Sequence, residues 1–294
     1  MNNKKILNEL IDSMMNEENQ NPQNYCFRNL VYKYPKAVHD AFDFPGEYVE
    51  NLKVEVFTDD GRNLIMDCAQ RIMPRGNITY ESTINVELQL NPLTEEKINK
   101  MYDHKISLIY ETHIVSNSVI ITNNSEIGDE IIYCEAYTHL FKVHVKLASN
   151  NEILKRLTVL KDIVKSKKTL TEKEAMYFGY ISIFVEEKYS KKIMIELSEL
   201  FSQITSIEPN LELDIHQVLK KMIKEYFKDD EKKCKELLTQ ISEPILQKKP
   251  EGLKYKERAE IAIYELNQRI EQKANEINKH AKKIKELQKQ LYEG

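Results

Sequence analysis

Asp67, Glu87 and Gln89 are the residues of this chain whose types and spacing could do chemistry. Glu87 and Gln89 stand two apart in the alternating run Ile84-Asn85-Val86-Glu87-Leu88-Gln89-Leu90. In a strand they share one face, with Asn85, while Ile84, Val86, Leu88 and Leu90 take the other. Asp67 closes the apolar run Leu64-Ile65-Met66. The turn signals Asp59-Asp60-Gly61 and Pro74-Arg75-Gly76-Asn77 place that run on the preceding strand of a meander. Neighbouring strands lie about 4.8 Å apart, so Asp67 and Glu87 can converge on one face. Two carboxylates at that range repel, and a shared divalent cation relieves the repulsion, with the Leu88 carbonyl as a third oxygen. Hard oxygen donors select Mg²⁺ or Mn²⁺ over zinc. By the same argument, removing Asp67 or Glu87 should leave the metal-free protein as stable as before, or slightly more so.

The surrounding pattern must position these residues. Residues 4–18 have the period of a short amphipathic helix, and 35–50 mix helix and turn with Pro45-Gly46 as punctuation. A strand starts at Leu52, and Ile78 to Leu90 reads as one long strand. Thr94 caps a helix with Glu95 and Glu96 in its first turn, running to about Glu111 with Ile98, Met101, Ile106, Ile109 and Tyr110 as its apolar residues. Val115 to Thr122 is a short apolar strand, and Ile131 to Leu147 is strand-rich. From 151 the period is helical, with helices near 151–166, 171–187, 189–206, 212–227 and 229–242, and breaks at Pro209, Asp229-Asp230 and Pro244. Lys248 to Gly252 reads as a linker. Beyond it Ile263, Ile270, Ile277, Ile284 and Leu291 recur every seven residues, the mark of a coiled-coil seam, although Lys273 and His280 interrupt the companion position. The expected architecture is α+β: a core over 1–150 with a mixed β-sheet flanked by helices, an all-helical region over 151–250, and a long coiled-coil-like helix over 251–294.

Composition removes other classes. The net charge is −4, with 14 basic and 22 acidic side chains in residues 1–150, so no basic surplus marks a non-specific nucleic-acid binder. Seven glycines and eight prolines exclude Gly-rich nucleotide loops and low-complexity architectures. No apolar run is long enough to span a membrane, and the first residues are too polar for a signal-peptide core. Cys26, Cys68, Cys134 and Cys234 lie far apart without a CxxC pair, which fits a reducing cytoplasm. His139 and His144 fall on opposite faces of a strand, His104 and His113 read as surface residues, and Cys68 as a core residue. No P-loop, GxGxxG, HExxH or GxSxG motif is present.

The order of a turn, Leu64-Ile65-Met66-Asp67, a strand with Val86-Glu87-Leu88-Gln89, a helix and a short apolar strand resembles the PD-(D/E)XK nuclease core. The Glu-X-Gln form is most similar to the recombination-promoting nuclease / putative transposase family, in which glutamine replaces the usual lysine and a helical region follows the core. The likeness covers roughly residues 30–150. It implies a Mg²⁺-dependent (or Mn²⁺-dependent) DNA endonuclease with Asp67, Glu87 and Gln89 as catalytic set and Asp67 and Glu87 as metal ligands. Gln89 would orient water or donate to the phosphate through its amide. The sequence departs from the family in having Met66 where proline precedes the aspartate, and in the stretch Pro74 to Thr83. In the family the following helix carries a basic residue and tyrosines, for which Lys97, Lys100, Tyr102, Lys105 and Tyr110 are the candidates; the resemblance points to Lys100 or Lys105 beside the catalytic set, and to Glu47 or Glu50 as an upstream helix acid. The rival reading is a catalytically degenerate nuclease fold that acts as a coiled-coil-mediated interaction protein; a third is an RNA-directed nuclease or toxin. The expected partners are DNA and a second copy through the C-terminal helix, with no membrane.

Overall fold

A computed structural model describes residues 21–52, 55–57, 63–76, 78–128 and 130–247. The helix expected over 4–18, the linker and the heptad segment lie outside the described residues. The chain divides into two compact units, Met1–Pro244 and Ile245–Gly294.

The first unit opens with helices α1 (Pro22–Lys33) and α2 (Pro35–Ala41), each starting on a proline at its first position, where the missing N–H costs nothing. Strand β1 (Glu47–Asn51) follows, then a separate two-stranded sheet of β2 (Glu55–Phe57) and β3 (Asn63–Ile65). Next come β4 (Cys68–Met73), β5 (Ser82–Leu88), α3 (Glu95–Thr112), β6 (Ser116–Thr122), β7 (Glu130–Ala136) and β8 (His139–Leu147). The main sheet has the order β1-β4-β5-β6-β8-β7. β1, β4 and β5 are antiparallel, β6 lies parallel to β5, and β8 parallel to β6. The expected mixed sheet is therefore present. The long strand expected from Ile78 to Leu90 is shorter, and Leu64-Ile65 pairs with β2 rather than continuing into β4.

β5 and β6 are buried along their whole length, as central strands of a sheet covered on both faces must be. α3 covers one face, where Met101 packs with Ile120, Phe141, Val143 and Val145, and Leu108 packs with Met66 and Ala69. α2 reaches the other face, where His39 Nδ1 meets Gln70 Oε1 at 2.7 Å.

Helices α4 (Asn150–Ser166), α5 (Glu172–Phe184), α6 (Glu187–Ser202), α7 (Pro209–Tyr226) and α8 (Glu231–Gln247) complete the described chain. They match the expected helical region, except that Pro244 lies inside α8 rather than ending it. α5 is buried almost all round, from Ala175 to Phe184, so it is a central helix. It packs on α1, α2, α4 and α7. Gly179 lets Leu30 of α1 seat against it; a Cβ there would collide with the Leu30 Cδ1 methyl. Phe42 stacks edge-on against Tyr180 at 5.1 Å, so the helical region shares its core with α2. Among the described residues no helix is long and apolar enough to cross a membrane.

The helical part also carries an acid-sensitive group. His216 of α7 is buried, and its Nε2 lies 3.0 Å from Ser242 Oγ, which itself donates to the Leu238 carbonyl at 2.7 Å. The hydroxyl proton is thus spent, and His216 donates from Nε2. Burial, with Lys220 nearby, pushes its pKa down to about 4. The folded state therefore favours neutral His216, while the unfolded chain takes up its proton near pH 6.5. Stability from this group is complete above pH 6.5 and is lost as pH falls towards 4, by as much as about 3 kcal/mol. Urea unfolding at pH 7, 5 and 4 should show this loss in the wild type and a smaller one in His216→Gln. Equal pH slopes in both proteins would refute the assignment.

Candidate metal and phosphate site

The site forms at the C-terminal end of β5. The β4–β5 register pairs Cys68 with Val86 and Ala69 with Asn85. Asp67, one residue before β4, continues it opposite Glu87, so the two share the face that α3 covers. The Leu88 N–H donates to Asp67 Oδ2 at 2.9 Å, which pins the aspartate to β5. Cys68 points the other way and is fully buried, as expected for a core residue.

Both carboxylates are buried, Asp67 at 5% exposure and Glu87 at 1%. Each is matched by donors. Arg28 of α1 gives Nε at 2.9 Å and Nη2 at 2.7 Å to Asp67 Oδ1. Lys97 Nζ lies 2.6 Å from Glu87 Oε2, and His104 Nδ1 2.8 Å from Glu87 Oε1. Beside a carboxylate, the His104 Nδ1 carries the proton. Burial pushes Glu87 upward, but the His104 hydrogen bond and the Lys97 ammonium outweigh it and hold its pKa at about 2. Burial and the neighbouring Glu87 charge push Asp67 up, against Arg28, Lys97 and the Leu88 N–H. Below Glu87 the same face carries Thr83 and Asn85 on β5 and Ser116 and Ser118 on β6, all buried, with side-chain atoms that bond to no protein group.

Lys97, Met101, His104 and Leu108 fall at spacings of four, three and four, so α3 presents them on one face to β5. His104 is completely buried, which overturns its reading as a surface residue; His113 is exposed at the helix end. The expected apolar set of α3 is corrected too, because Ile106 and Tyr110 face solvent at 45% and 75% exposure. The lysine that reaches Glu87 is Lys97, ahead of the Lys100 and Lys105 to which the resemblance points, and Lys105 lies over the Phe141 ring. Glu47 and Glu50 are on β1, not on an upstream helix, and Glu50 pairs with Arg71. Gln89 follows β5 by one residue. Its amide donates to the Asn91 and Pro92 carbonyls at 2.7 and 3.2 Å, bracing the loop that enters α3. Arg28 was signalled by no motif, since it arrives from 39 residues upstream.

Among the described residues no three His, Cys, Asp or Glu side chains form a metal-binding group. Two carboxylates nevertheless suit Mg²⁺, which keeps several waters and binds through one or two carboxylates plus substrate phosphates. Asp67 Oδ2, Glu87 Oε1 and Glu87 Oε2 each keep a second lone pair beyond the hydrogen bonds described, whereas Asp67 Oδ1 accepts twice from Arg28. Arg28 and Lys97 have side chains 37% and 22% exposed on long stems, so they have room to move aside. The donor set therefore fits a hard divalent cation in kind. Compared with family models, curated proteins and solved structures, the chain gives no match.

Proposed function

We propose that this chain is a Mg²⁺-dependent DNA endonuclease of the transposon-associated, recombination-promoting type, hydrolysing phosphodiester bonds. The observation that carries the reading is the opposition of Asp67 and Glu87 across β4 and β5, with the Lys97 ammonium 2.6 Å from Glu87. The element order supports it: an antiparallel meander, a helix, then a strand parallel to the last strand of the meander. Held by Asp67 and Glu87, Mg²⁺ would supply an activated water and charge neutralisation at the phosphate. The protein's own residues divide the remaining work. Lys97 places a positive charge where the Glu-X-Gln sequence lacks one, stabilising charge that develops on phosphate oxygens. His104 fixes the orientation of Glu87 from behind. Gln89, through the Asn91–Pro92 loop, sets the entry of α3 and with it Lys97 and His104. A second copy joined through residues 251–294 would place two such sites on two strands, and a cytoplasmic location goes with this reading.

A catalytically degenerate fold is the second reading. It is favoured by the fact that all four carboxylate oxygens already accept hydrogen bonds from protein donors. Supercoiled plasmid incubated with the protein decides between them. The nuclease reading expects relaxed or linear product with Mg²⁺ or Mn²⁺ and none with EDTA. No divalent-dependent product, from protein shown to be folded, would favour the retired fold.

A further inference from the structure

We propose that Arg28 is the phosphate-binding residue of this site, parked on Asp67 until a divalent cation takes its place. The inference rests on the reading of Asp67 and Glu87 as a metal pair and adds the residue that recognises the anionic substrate. Arg28 comes from α1, outside the Asp…Glu-X-Gln pattern, and turns two of its N–H groups on a single oxygen, Asp67 Oδ1. A guanidinium fork engages two oxygens of a carboxylate or phosphate at best. Here the second oxygen, Oδ2, is taken by the Leu88 N–H, so the fork is used at less than its full capacity.

Charge balance gives the direction of exchange. Ionised Asp67 and Glu87 are balanced by Arg28 and Lys97, so the four groups together carry no net charge. A divalent cation on the two carboxylates would leave a surplus of +2. Arg28 and Lys97 would then face a like charge, and each would be driven off its carboxylate. A phosphodiester carries one negative charge and gathers a second as the attacking oxygen bonds to phosphorus. The surplus matches that charge, and the displaced guanidinium is the group whose geometry fits two phosphate oxygens. The 37% exposure of the Arg28 side chain leaves it free to turn towards an incoming strand. Lys97 shares the electrostatic role but binds as a point charge, without the fork.

The test separates metal binding from DNA cleavage. Mn²⁺ binding without DNA is measured by electron paramagnetic resonance for wild type, Arg28→Met, Arg28→Lys and Asp67→Ala. Binding of a short fluorescent DNA duplex is measured with Ca²⁺ in place of Mg²⁺, and cleavage with Mg²⁺. Arg28→Met should bind Mn²⁺ roughly three- to tenfold more tightly, because a competing counter-ion is gone. It should bind the duplex more weakly and lose about 10²-fold in kcat/KM. Arg28→Lys should keep wild-type Mn²⁺ affinity and lose about tenfold in kcat/KM, since charge is retained and the fork is not. That variant carries the test if Arg28→Met does not fold. Unchanged or weaker Mn²⁺ binding by Arg28→Met, or unchanged cleavage by both Arg28 variants, would overturn the proposal. Equal Mn²⁺ binding by wild type and Asp67→Ala would sink the metal-pair reading itself.

Discussion

Glu87→Ala is expected to abolish divalent-dependent cleavage, by at least about 10²- to 10³-fold, and to destabilise the fold as well. The second half reverses what carboxylate repulsion alone suggests. Glu87 is not an unbalanced charge: it accepts from His104 and from Lys97. Truncation leaves the Nδ1–H of a completely buried histidine without an acceptor and opens a gap under α3. An unmet buried donor costs about 1–3 kcal/mol, and the cavity adds to it, so a loss of roughly 2–4 kcal/mol is expected. Lys97 contributes little of this, because its partly exposed ammonium can turn to water. Glu87→Gln separates the two effects. Its amide oxygen still accepts from His104, so most of the stability should remain, yet the charge that would hold the cation is gone. Thermal unfolding and plasmid cleavage of both variants check this. Cleavage surviving in Glu87→Gln, or full stability in Glu87→Ala, would show that Glu87 does not do what its contacts indicate.

Much of this arrangement was legible in the chain, and the reasons for what was missed are physical. Alternation through Ile84 to Leu90 assigns the face of Glu87 and the turn after Met73 its neighbouring strand, and the Cys68–Val86 register, continued by one residue, sets Asp67 opposite Glu87. Alternation cannot say which strand a short apolar run joins, and Leu64-Ile65, whose pattern leads into β4, pairs with β2. On α3 the apolar residues Ile106, Ile109 and Tyr110 drew the helix face towards themselves. The stripe that faces β5 is Lys97, Met101, His104 and Leu108, half of it polar, because Lys97 and His104 lie over a carboxylate while Met101 and Leu108 pack on apolar core. A polar pair seven apart around Met101 was the available signal. Arg28 had none: its partner depends on how α1 sits beside β4, which only tertiary packing decides.

The second large effect is expected at Arg156, where the boundary anticipated near residue 150 is crossed by one buried side chain. Arg156 of α4 is 6% exposed. Its Nε and Nη2 donate to the Ala41 carbonyl at 3.2 and 3.0 Å, and Nη2 also reaches Asp43 Oδ2 at 2.6 Å. Nη1 lies 2.6 Å from Glu152 Oε2, and the guanidinium sits 4.0 Å from the Tyr180 ring centroid. Ala41 ends α2, so its carbonyl is one of those a helix leaves without an internal partner, at the negative end of the helix dipole. Asp43, two residues on, holds a left-handed φ of 53°, a conformation that costs energy for a residue with a Cβ. One cation therefore caps α2, anchors the strained turn after it and ties both to α4 and α5. Arg156→Met removes the cap and leaves Asp43 to solvent and Lys146. Because Asp43 is 48% exposed, its share is small, and most of the cost comes from the carbonyl and the lost ring contact. About 3 kcal/mol is expected, or a fall in Tm of roughly 6–12 °C for a unit of this size. Arg156→Lys should recover only a minor part, since an ammonium cannot serve the Ala41 carbonyl, Asp43 and Glu152 together in one plane. Calorimetry on the three proteins decides it: a lysine variant as stable as wild type would mean that charge alone matters here and that the fork geometry does not.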